Sequence, residues 1–372
     1  MIPMLYIVGA FLKKLNVVLL IVVALDQLLV QHLIALSIVQ SESAENYNKI
    51  LEVLKTNILH HSGTVEGLCF ISDRSKGLIP AVKTVFENNQ HFFDTFHIFQ
   101  NFVKFLKNNR EVAHSMDKAL ITKRAEAIRT RIHLLAKSSN EKEYNEAMKK
   151  IMTQVKQCIN KDSIEAEHVL MKAREYIENA DTDKWIYFKM KPVARSRYER
   201  ACVGPVESFS NKIRAQRRMF ICEMIKSLFE LENKVLSDNE KHVDLTSQYC
   251  YGFPNILKKY KKIESDPRQL NSIKTEKRTM INEVQIKIRG ETYIANTETL
   301  RCSCLESEDY NYPCLRVLLL IRLNMIEKRY EDALPKFFLN TSIHQIYSTR
   351  TSTINYNIPD EQENYQPFIC EI

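Results

Sequence analysis

Three apolar segments near the N-terminus constrain the fold of this chain more than any other feature. They span residues 4–12, 17–25 and 33–39 and are rich in Val, Ile and Leu. Short polar breaks at 13–16 and 26–31 separate them. Each segment has the length of a strand, and consecutive strands with short connections are typical of an antiparallel meander. The sequence therefore predicts a sheet that begins with three antiparallel strands.

The first two segments also have the pattern of a signal peptide. Lys13 and Lys14 precede the apolar run 17–25, as a charged region precedes the apolar region of such a peptide. The run ends at Asp26, which leaves it too short to cross a bilayer. Cleavage would also remove strands that the sheet needs. We therefore expect buried strands here rather than a targeting segment.

A strand-to-helix turn at residues 67–77 carries the most informative carboxylate. The apolar run 68–71 predicts a short buried strand, and Asp73 follows its end. The next apolar residues recur at helical spacing: Leu78, Val82, Val85 and Phe86. In α/β folds, metal ligands and acid–base groups lie at such turns. Asp73 is also a suitable helix cap, so both functions stay open at this point.

The elements between and after these segments complete an alternating pattern. Apolar residues at helical spacing predict a helix over 47–58, and residues 91–96 predict another strand. The order of three strands, helix, strand, helix and strand is typical of an α/β fold. From about 98 to 200 the pattern becomes helical. Trp185, the single tryptophan, is expected to anchor the core of that part.

A further helix is predicted to open at Pro205, which suits a first helical turn. Its apolar side is formed by Val206, Phe209, Ile213, Phe220, Met224 and Leu228. Glu207 lies beside that side, where it either serves a site or interacts with the helix dipole. The same helix carries four basic residues: Lys212, Arg214, Arg217 and Arg218. They form either a phosphate-binding surface or an ordinary solvated face.

The C-terminal third is less regular. Residues 233–280 are polar and rich in Lys and Glu, and strands return over 283–295. A cysteine pattern follows, with Cys302, Cys304 and, after nine further residues, Cys314. Residues 317–326 are apolar and predict a helix, whereas the tail after about 340 lacks periodicity and is expected to pack poorly.

Composition limits the possible classes of protein. The chain has 372 residues and an ordinary globular balance of 45% hydrophobic and 26% charged residues. Its net charge of +8 permits a polyanionic partner without requiring one. Nine cysteines are an odd number without the spacing of a disulfide framework, which favours a reducing intracellular compartment.

Four of these landmarks, in this order, resemble the transposases of Mutator-like elements (MULE) and the far-red-impaired-response regulators related to them. Residues 8–13, Val-Gly-Ala-Phe-Leu-Lys, stand where the family's first strand reads Asp-Gly-Thr-Phe-Leu-Lys, and residues 23–42 fit its next two strands. Residues 71–78, Ile-Ser-Asp-Arg-Ser-Lys-Gly-Leu, and 206–211, Val-Glu-Ser-Phe-Ser-Asn, match the second and third landmarks. The cysteine array resembles a SWIM zinc motif.

The resemblance implies an α/β protein with an RNase H-like mixed sheet, a large helical insertion and a small C-terminal SWIM-like α+β module. The implied divisions are 1–110 for the first part of the core, 111–200 for the insertion, 201–235 for the helix with the third acidic residue, 236–280 for a polar linker, 281–330 for the SWIM-type module and 331–372 for a tail. The zinc finger that usually precedes the family's core has no counterpart in this sequence, from which we expect a truncated or decayed copy or a gene model that lacks an upstream exon.

The family's chemistry is DNA strand cleavage and transfer with two divalent cations, Mg or Mn. Its three carboxylates map to positions 8, 73 and 207. Asp73 and Glu207 are present, but Val8 replaces the first, and no acidic residue precedes Asp26. Hard cations require oxygen ligands, so the resemblance together with Val8 predicts strong loss of catalysis.

Two further positions depart from the family pattern. Asp94 replaces the cysteine of a Cys-x-x-His pair, so His97 is expected to be structural. Arg316 stands where the SWIM motif has its histidine, and arginine cannot bind a metal ion. Structural zinc needs four ligands. Cys302, Cys304 and Cys314 are therefore either an incomplete zinc site or free structural cysteines, and His344 is too distant in sequence to nominate.

The function expected from these observations is that of a transposase-derived protein without catalysis, retaining DNA or protein binding and possible zinc binding. A domesticated nuclear regulator of the far-red type, a still active DDE-type transposase and an unrelated helical scaffold are the alternatives. DNA and a second copy of the chain are the expected partners, with no membrane and no small-molecule substrate. The expected location is nuclear or otherwise intracellular, not secreted.

Overall fold

The N-terminal apolar segments form strands in the computed structural model, as predicted. The strands are Met4–Leu12 (β1), Val17–Leu25 (β2), Gln31–Val39 (β3), Cys69–Ser72 (β4) and Gln90–Phe93 (β5). The structure describes residues 4–26, 30–160, 165–190, 208–209, 211–240, 265, 274–277, 282–288, 290–310, 312–328, 333 and 369–371.

These strands form one mixed sheet with β1 at its centre. β1, β2 and β3 pair antiparallel as a meander, while β4 pairs parallel with β1 and β5 parallel with β4. A C-terminal strand, Ile369–Glu371, pairs antiparallel with β3 at the far edge, which differs from the poor packing expected for the tail. Ser72 lies opposite both Ile7 and Phe93, so the positions that follow these three residues lie side by side across the sheet.

Helices cover both faces of the sheet, because side chains alternate between the faces along each strand. On one face, Ala44–Ser62 (α1) and Leu78–Val85 (α2) pack against residues such as Leu5, Ile7 and Phe70. On the other face, Tyr6 and Ile71 pack with Phe209, Ile213 and the later helix that contains Leu228. The mixed α/β class predicted from the sequence is confirmed.

The predicted helical stretch after β5 is also present. It contains Thr95–Asn108 (α3), Lys118–Ala136 (α4), Glu141–Lys156 (α5) and Ala166–Glu178 (α6). These helices enclose a core of their own, in which Trp185 is completely buried and its indole donates to the carbonyl of Ala180 at 2.9 Å. None of the helices in the described part of the chain is long and apolar enough to span a membrane.

Two predicted elements have different bounds in the structure. The strand predicted over 91–96 ends at Phe93, because Asp94 begins a helix instead. The continuous helix predicted from Pro205 is wrong over its described part. A 3-10 turn at Gln216–Arg218 interrupts it, and Ile221–Glu240 (α7) follows. Phe220, predicted to be on the apolar side, is 75% exposed in that break.

The C-terminal region forms a small α+β unit with its own core. Its elements are Lys274–Lys277 (β6), Glu283–Ile288 (β7), Glu291–Asn296 (β8), Glu306–Tyr310 (α8) and Leu315–Arg322 (α9). The three strands pair antiparallel in the order β6-β7-β8. The polar linker predicted over 236–280 is therefore too long, since α7 continues to Glu240 and β6 belongs to this sheet.

A buried polar network ties the meander to α7. His32 on β3 contacts the Glu232 carboxylate at 2.9 Å through Nδ1 and the Asp26 carboxylate at 3.2 Å through Nε2, with all three side chains buried. Burial opposes the charged imidazole, but hydrogen bonds and charge from Asp26 and Glu232 outweigh it and raise the pKa of His32. Asp26 lies beyond the Leu5 end of the sheet and away from the level of Val8, as expected.

Candidate functional site

The end of β4 brings three sequence positions to one level of the sheet. Val8, Asp73 and Asp94 immediately follow Ile7, Ser72 and Phe93, which are paired across β1, β4 and β5. Val8 is partly buried and packs on the core face that also holds Phe209 and Ile213. The position at which the resemblance predicts the first carboxylate thus lies beside Asp73, and it is apolar.

Asp73 is not the cap of the helix that follows it. The residue that precedes α2 is Gly77, and no side chain caps that helix. The Asp73 carboxylate instead accepts a hydrogen bond from the Ser75 backbone N–H at 3.1 Å. Burial raises the pKa of Asp73, the charge of Asp94 adds to this, and His97 and the Ser75 bond oppose it. The capping alternative is wrong, and Asp73 remains a carboxylate without a strong cationic partner in the described contacts.

Asp94 is held by structural contacts. Its buried carboxylate caps α3 by accepting from the backbone N–H groups of Phe96 and His97, each at 3.0 Å, and contacts His97 Nδ1 at 2.5 Å. Its own N–H donates to the Ser72 carbonyl at 2.8 Å, which ties β5 to β4. These contacts agree with the structural role expected for His97.

Glu42 is a third carboxylate at this edge, and sequence reasoning did not select it. A Cβ atom on Gly9 would lie 2.3 Å from Glu42 Oε1, so the glycine leaves room for this side chain. Tyr47 donates its hydroxyl to Glu42 Oε2 at 3.3 Å. Burial and the charge of Asp73 raise the pKa of Glu42. We refer to Glu42, Asp73 and Asp94 as the carboxylate edge.

The sequence signals for Glu42 were its place three residues after the third strand and its inclusion in the resemblance over residues 23–42. The sequence distance between Glu42 and Asp73 does not reveal that they are neighbours. They are brought together because the loop after β3 returns to Gly9 on β1. Glu207, the other predicted carboxylate, lies outside the described residues.

The four predicted DNA-contacting residues lie around the break before α7. Lys212, Arg214 and Arg218 are exposed. Arg217 is half-buried, and its guanidinium donates to the Phe11 carbonyl at 3.1 Å, which holds the 3-10 turn against the end of β1. Arg217 therefore has a structural contact, whereas the other three present charge to solvent.

The three cysteines of the predicted zinc motif converge. Their Sγ atoms all lie within 4.8 Å of one another, and all three residues are buried. We call Cys302, Cys304 and Cys314 the thiol cluster. Hydrogen bonds from Cys304 and Cys314 lower the pKa of Cys302, whereas burial raises that of Cys314. Among the described residues, this is the single group of His, Cys, Asp or Glu side chains arranged to hold a metal ion.

Arg316 lies beside the thiol cluster. Its guanidinium carbon is 4.0 Å from the centre of the Tyr293 ring, and Nη1 lies 2.8 Å from the Glu306 carboxylate. Its positive charge acts on all three cysteines. The residue at the expected histidine position is thus near the sulfur atoms but supplies no lone pair.

Comparison with known families identifies one related segment. The MULE transposase domain matches residues 9–101. A search of curated proteins found no significant match. The matched segment begins directly after Val8, contains the whole carboxylate edge and ends within α3, so it does not extend to the thiol cluster. The chain therefore carries a segment similar to the MULE transposase domain, and this similarity points to a transposase-derived protein.

Proposed function

We propose that this protein is a transposase derivative that binds nucleic acid through an RNase H-like core and has lost strand cleavage. The observation that carries the proposal is the apolar Val8, which lies beside Asp73 and directly precedes the segment 9–101 that matches the MULE transposase domain. The strand order β5-β4-β1-β2-β3, with an antiparallel meander on one side of β1 and parallel strands on the other, supports an RNase H-like core.

The contacts of the carboxylate edge support the loss of cleavage. Two-metal catalysis requires several carboxylate oxygens that converge on neighbouring cations. The carboxylate oxygens of Asp94 accept hydrogen bonds from the start of α3 and contact His97. The Glu42 carboxylate accepts a hydrogen bond from Tyr47. Asp73 is left without a carboxylate on the neighbouring position of β1, and Glu207 lies outside the described residues, so the described part of the edge offers fewer converging oxygens than two cations require.

Plasmid nicking tests the catalytic part. We expect the purified chain with Mg²⁺ or Mn²⁺ to nick supercoiled DNA no faster than its Asp73→Asn variant. Asp183→Asn, which changes an exposed carboxylate elsewhere, is the matched control. Robust nicking that is abolished by Asp73→Asn and retained by Asp183→Asn would disprove the loss of catalysis.

DNA binding is proposed for the exposed cations Lys212, Arg214 and Arg218. Each phosphate contact contributes a counterion to the salt dependence of binding. Replacing all three by Ala should weaken duplex binding and reduce the slope of log K against log salt by roughly 2–3. A triple Ala variant of three exposed lysines on α5, Lys142, Lys149 and Lys150, is the matched control. Equal slopes for both variants would assign binding to another surface, and microscopy of a tagged chain would test the nuclear location.

Zinc is proposed as the ion of the thiol cluster. Three thiolates are suitable ligands for Zn²⁺, and the three sulfur atoms already lie within one coordination sphere's reach of one another. Bound zinc would cross-link the turn after β8 to the start of α9 and so stabilise this small unit.

A further inference from the structure

We propose that the thiol cluster binds its metal ion through three protein thiolates only, with Arg316 as a charge partner in place of a fourth ligand. The fourth coordination position would then be taken by an exchangeable water or small anion. This inference deepens the zinc proposal above and rests on it, but it is independent of DNA binding.

The three sulfur ligands are held in place by their own backbone contacts. The Cys302 N–H donates to the buried Ser307 hydroxyl at 3.1 Å, and its carbonyl accepts from the Leu305 N–H at 3.0 Å. Cys314 directly precedes α9, and its carbonyl accepts a hydrogen bond from the Leu318 N–H at 3.0 Å. The Cys302–Cys304 turn and the helix start are thus fixed independently, and both direct sulfur toward one point.

Arg316 is fixed next to the same point but cannot complete the coordination. It lies two residues after Cys314, stacks on Tyr293 and pairs with Glu306. Its Nε atom is buried and has no hydrogen-bond partner. A guanidinium stays protonated and has no acceptor lone pair, so it cannot act as a metal ligand.

The charges favour this arrangement over a tetrahedral site with a fourth anionic side chain. A divalent ion with three thiolates carries one net negative charge, and the nearby guanidinium offsets it in a buried setting. A fourth protein thiolate or carboxylate would add a second negative charge. Sites with three protein ligands keep an open position, which allows faster exchange than a closed structural site.

Backbone strain around the cysteine turn gives independent support. Leu300 and Leu305, on either side of Cys302 and Cys304, have φ angles of 58° and 64°. A leucine in this left-handed region is unfavourable, and such residues cluster where a ligand is clamped. The two leucines bracket the turn from which Cys302 and Cys304 direct their sulfur atoms toward Cys314.

The test uses the full reduced chain and Zn²⁺ itself. Zinc affinity is measured by competition with a chromogenic chelator, and X-ray absorption counts the sulfur atoms around the ion. We expect one zinc with three sulfur ligands and one light atom. Arg316→His should add the missing ligand and raise the affinity on the order of a hundredfold, at or above the change that outer-shell partners produce. Arg322→His, an exposed position on the same helix, is the matched control and should change nothing.

Other results would overturn the inference. These are four protein ligands around zinc in the unmodified chain, a loss of affinity in His344→Ala, or an Arg316→His variant that is folded but binds no more tightly. The sulfur count is made on the unmodified chain, so it does not depend on how the variants fold. Failure to bind zinc at all would remove the zinc proposal as well, while the DNA-binding assay would decide the rest of the proposed function separately.

Discussion

The carboxylate edge and the thiol cluster each lack one metal ligand that the family resemblance predicts, and their other side chains are arranged differently. At the carboxylate edge, the oxygens of Glu42, Asp73 and Asp94 have separate hydrogen-bond partners. In the thiol cluster, the sulfur atoms stay within 4.8 Å of one another. The difference follows from charge, because ionised carboxylates repel one another, whereas neutral thiols pack as small apolar groups and can donate hydrogen bonds to a neighbouring thiolate.

Ligand atoms that converge on one point are therefore stronger evidence for a bound ion when they are carboxylate oxygens than when they are thiol sulfurs. Ionised carboxylates that converged without a cation would be costly, and among the described residues the ligand oxygens of Glu42, Asp73 and Asp94 do not form a group within 4.8 Å. Thiols can converge for packing alone, so the cluster needs a direct measurement.

The largest effect is expected from Cys314→Ser, which removes a fully buried sulfur ligand of the cluster. Bound zinc should fall from one ion per chain to none, because two thiolates do not hold structural zinc. Metal analysis after gel filtration provides the measurement. Cys222→Ser changes an exposed cysteine on α7 and should keep the ion. If the Cys314 variant retained zinc, the ion would be bound elsewhere, and the thiol cluster would be a group of packed thiols. The contrast between a metal-binding thiol cluster and a metal-free carboxylate edge would then be wrong.

The next effect concerns Asp94, whose role at the carboxylate edge should be structural. Asp94→Ala removes a helix cap and a buried ion pair, so the free energy of unfolding should fall by about 2–4 kcal/mol. Asp94→Asn keeps one cap acceptor and should cost less. Urea unfolding in the presence and absence of Mn²⁺ measures both. A large loss that appears only with Mn²⁺ present would instead make Asp94 a metal ligand.

Asp73 provides a pH test of the same region. Its folded-state pKa is raised, chiefly by burial, above the unfolded value near 3.8. Its contribution to stability is therefore complete below that value and is lost as pH rises through the folded pKa. At pH 7, Asp73→Asn should be more stable than the unmodified chain by less than about 1 kcal/mol, with the gain disappearing in acid.

Adding Mg²⁺ tests whether Asp73 still binds a metal ion or is only a buried carboxylate. If the edge still bound the ion, the unmodified chain would gain stability from Mg²⁺ and the Asp73→Asn variant would not. We expect both proteins to melt at temperatures that do not depend on Mg²⁺. A Mg²⁺-dependent increase confined to the unmodified chain would contradict the proposed loss of the metal site.

Features of the fold and of the candidate site could be predicted from the sequence where they depend on residues that are close together in the chain. The strands of the meander were read from continuous apolar runs, and the position of Asp73 from the strand before it. The break at Gln216–Arg218 was missed because a helical repeat of apolar residues does not reveal a local change of helix type. Glu42 and the His32–Glu232 contact were missed because they join segments distant in sequence, and periodicity carries no information about such pairs.

The smallest effect is expected at Gly9, where Glu42 can be tested as a mobile or a fixed side chain. Gly9→Ala places a methyl group at the Glu42 carboxylate, which is exposed and can turn away. The cost should stay below about 1 kcal/mol, as for most changes where a flexible side chain yields. In the Gly9→Ala, Glu42→Ala double variant the clash disappears, so a double-mutant cycle isolates the contact. A coupling energy of about 2 kcal/mol or more would mean that Glu42 is held rigidly, as a metal ligand would be. The carboxylate edge would then be closer to the thiol cluster in organisation than its hydrogen bonds indicate.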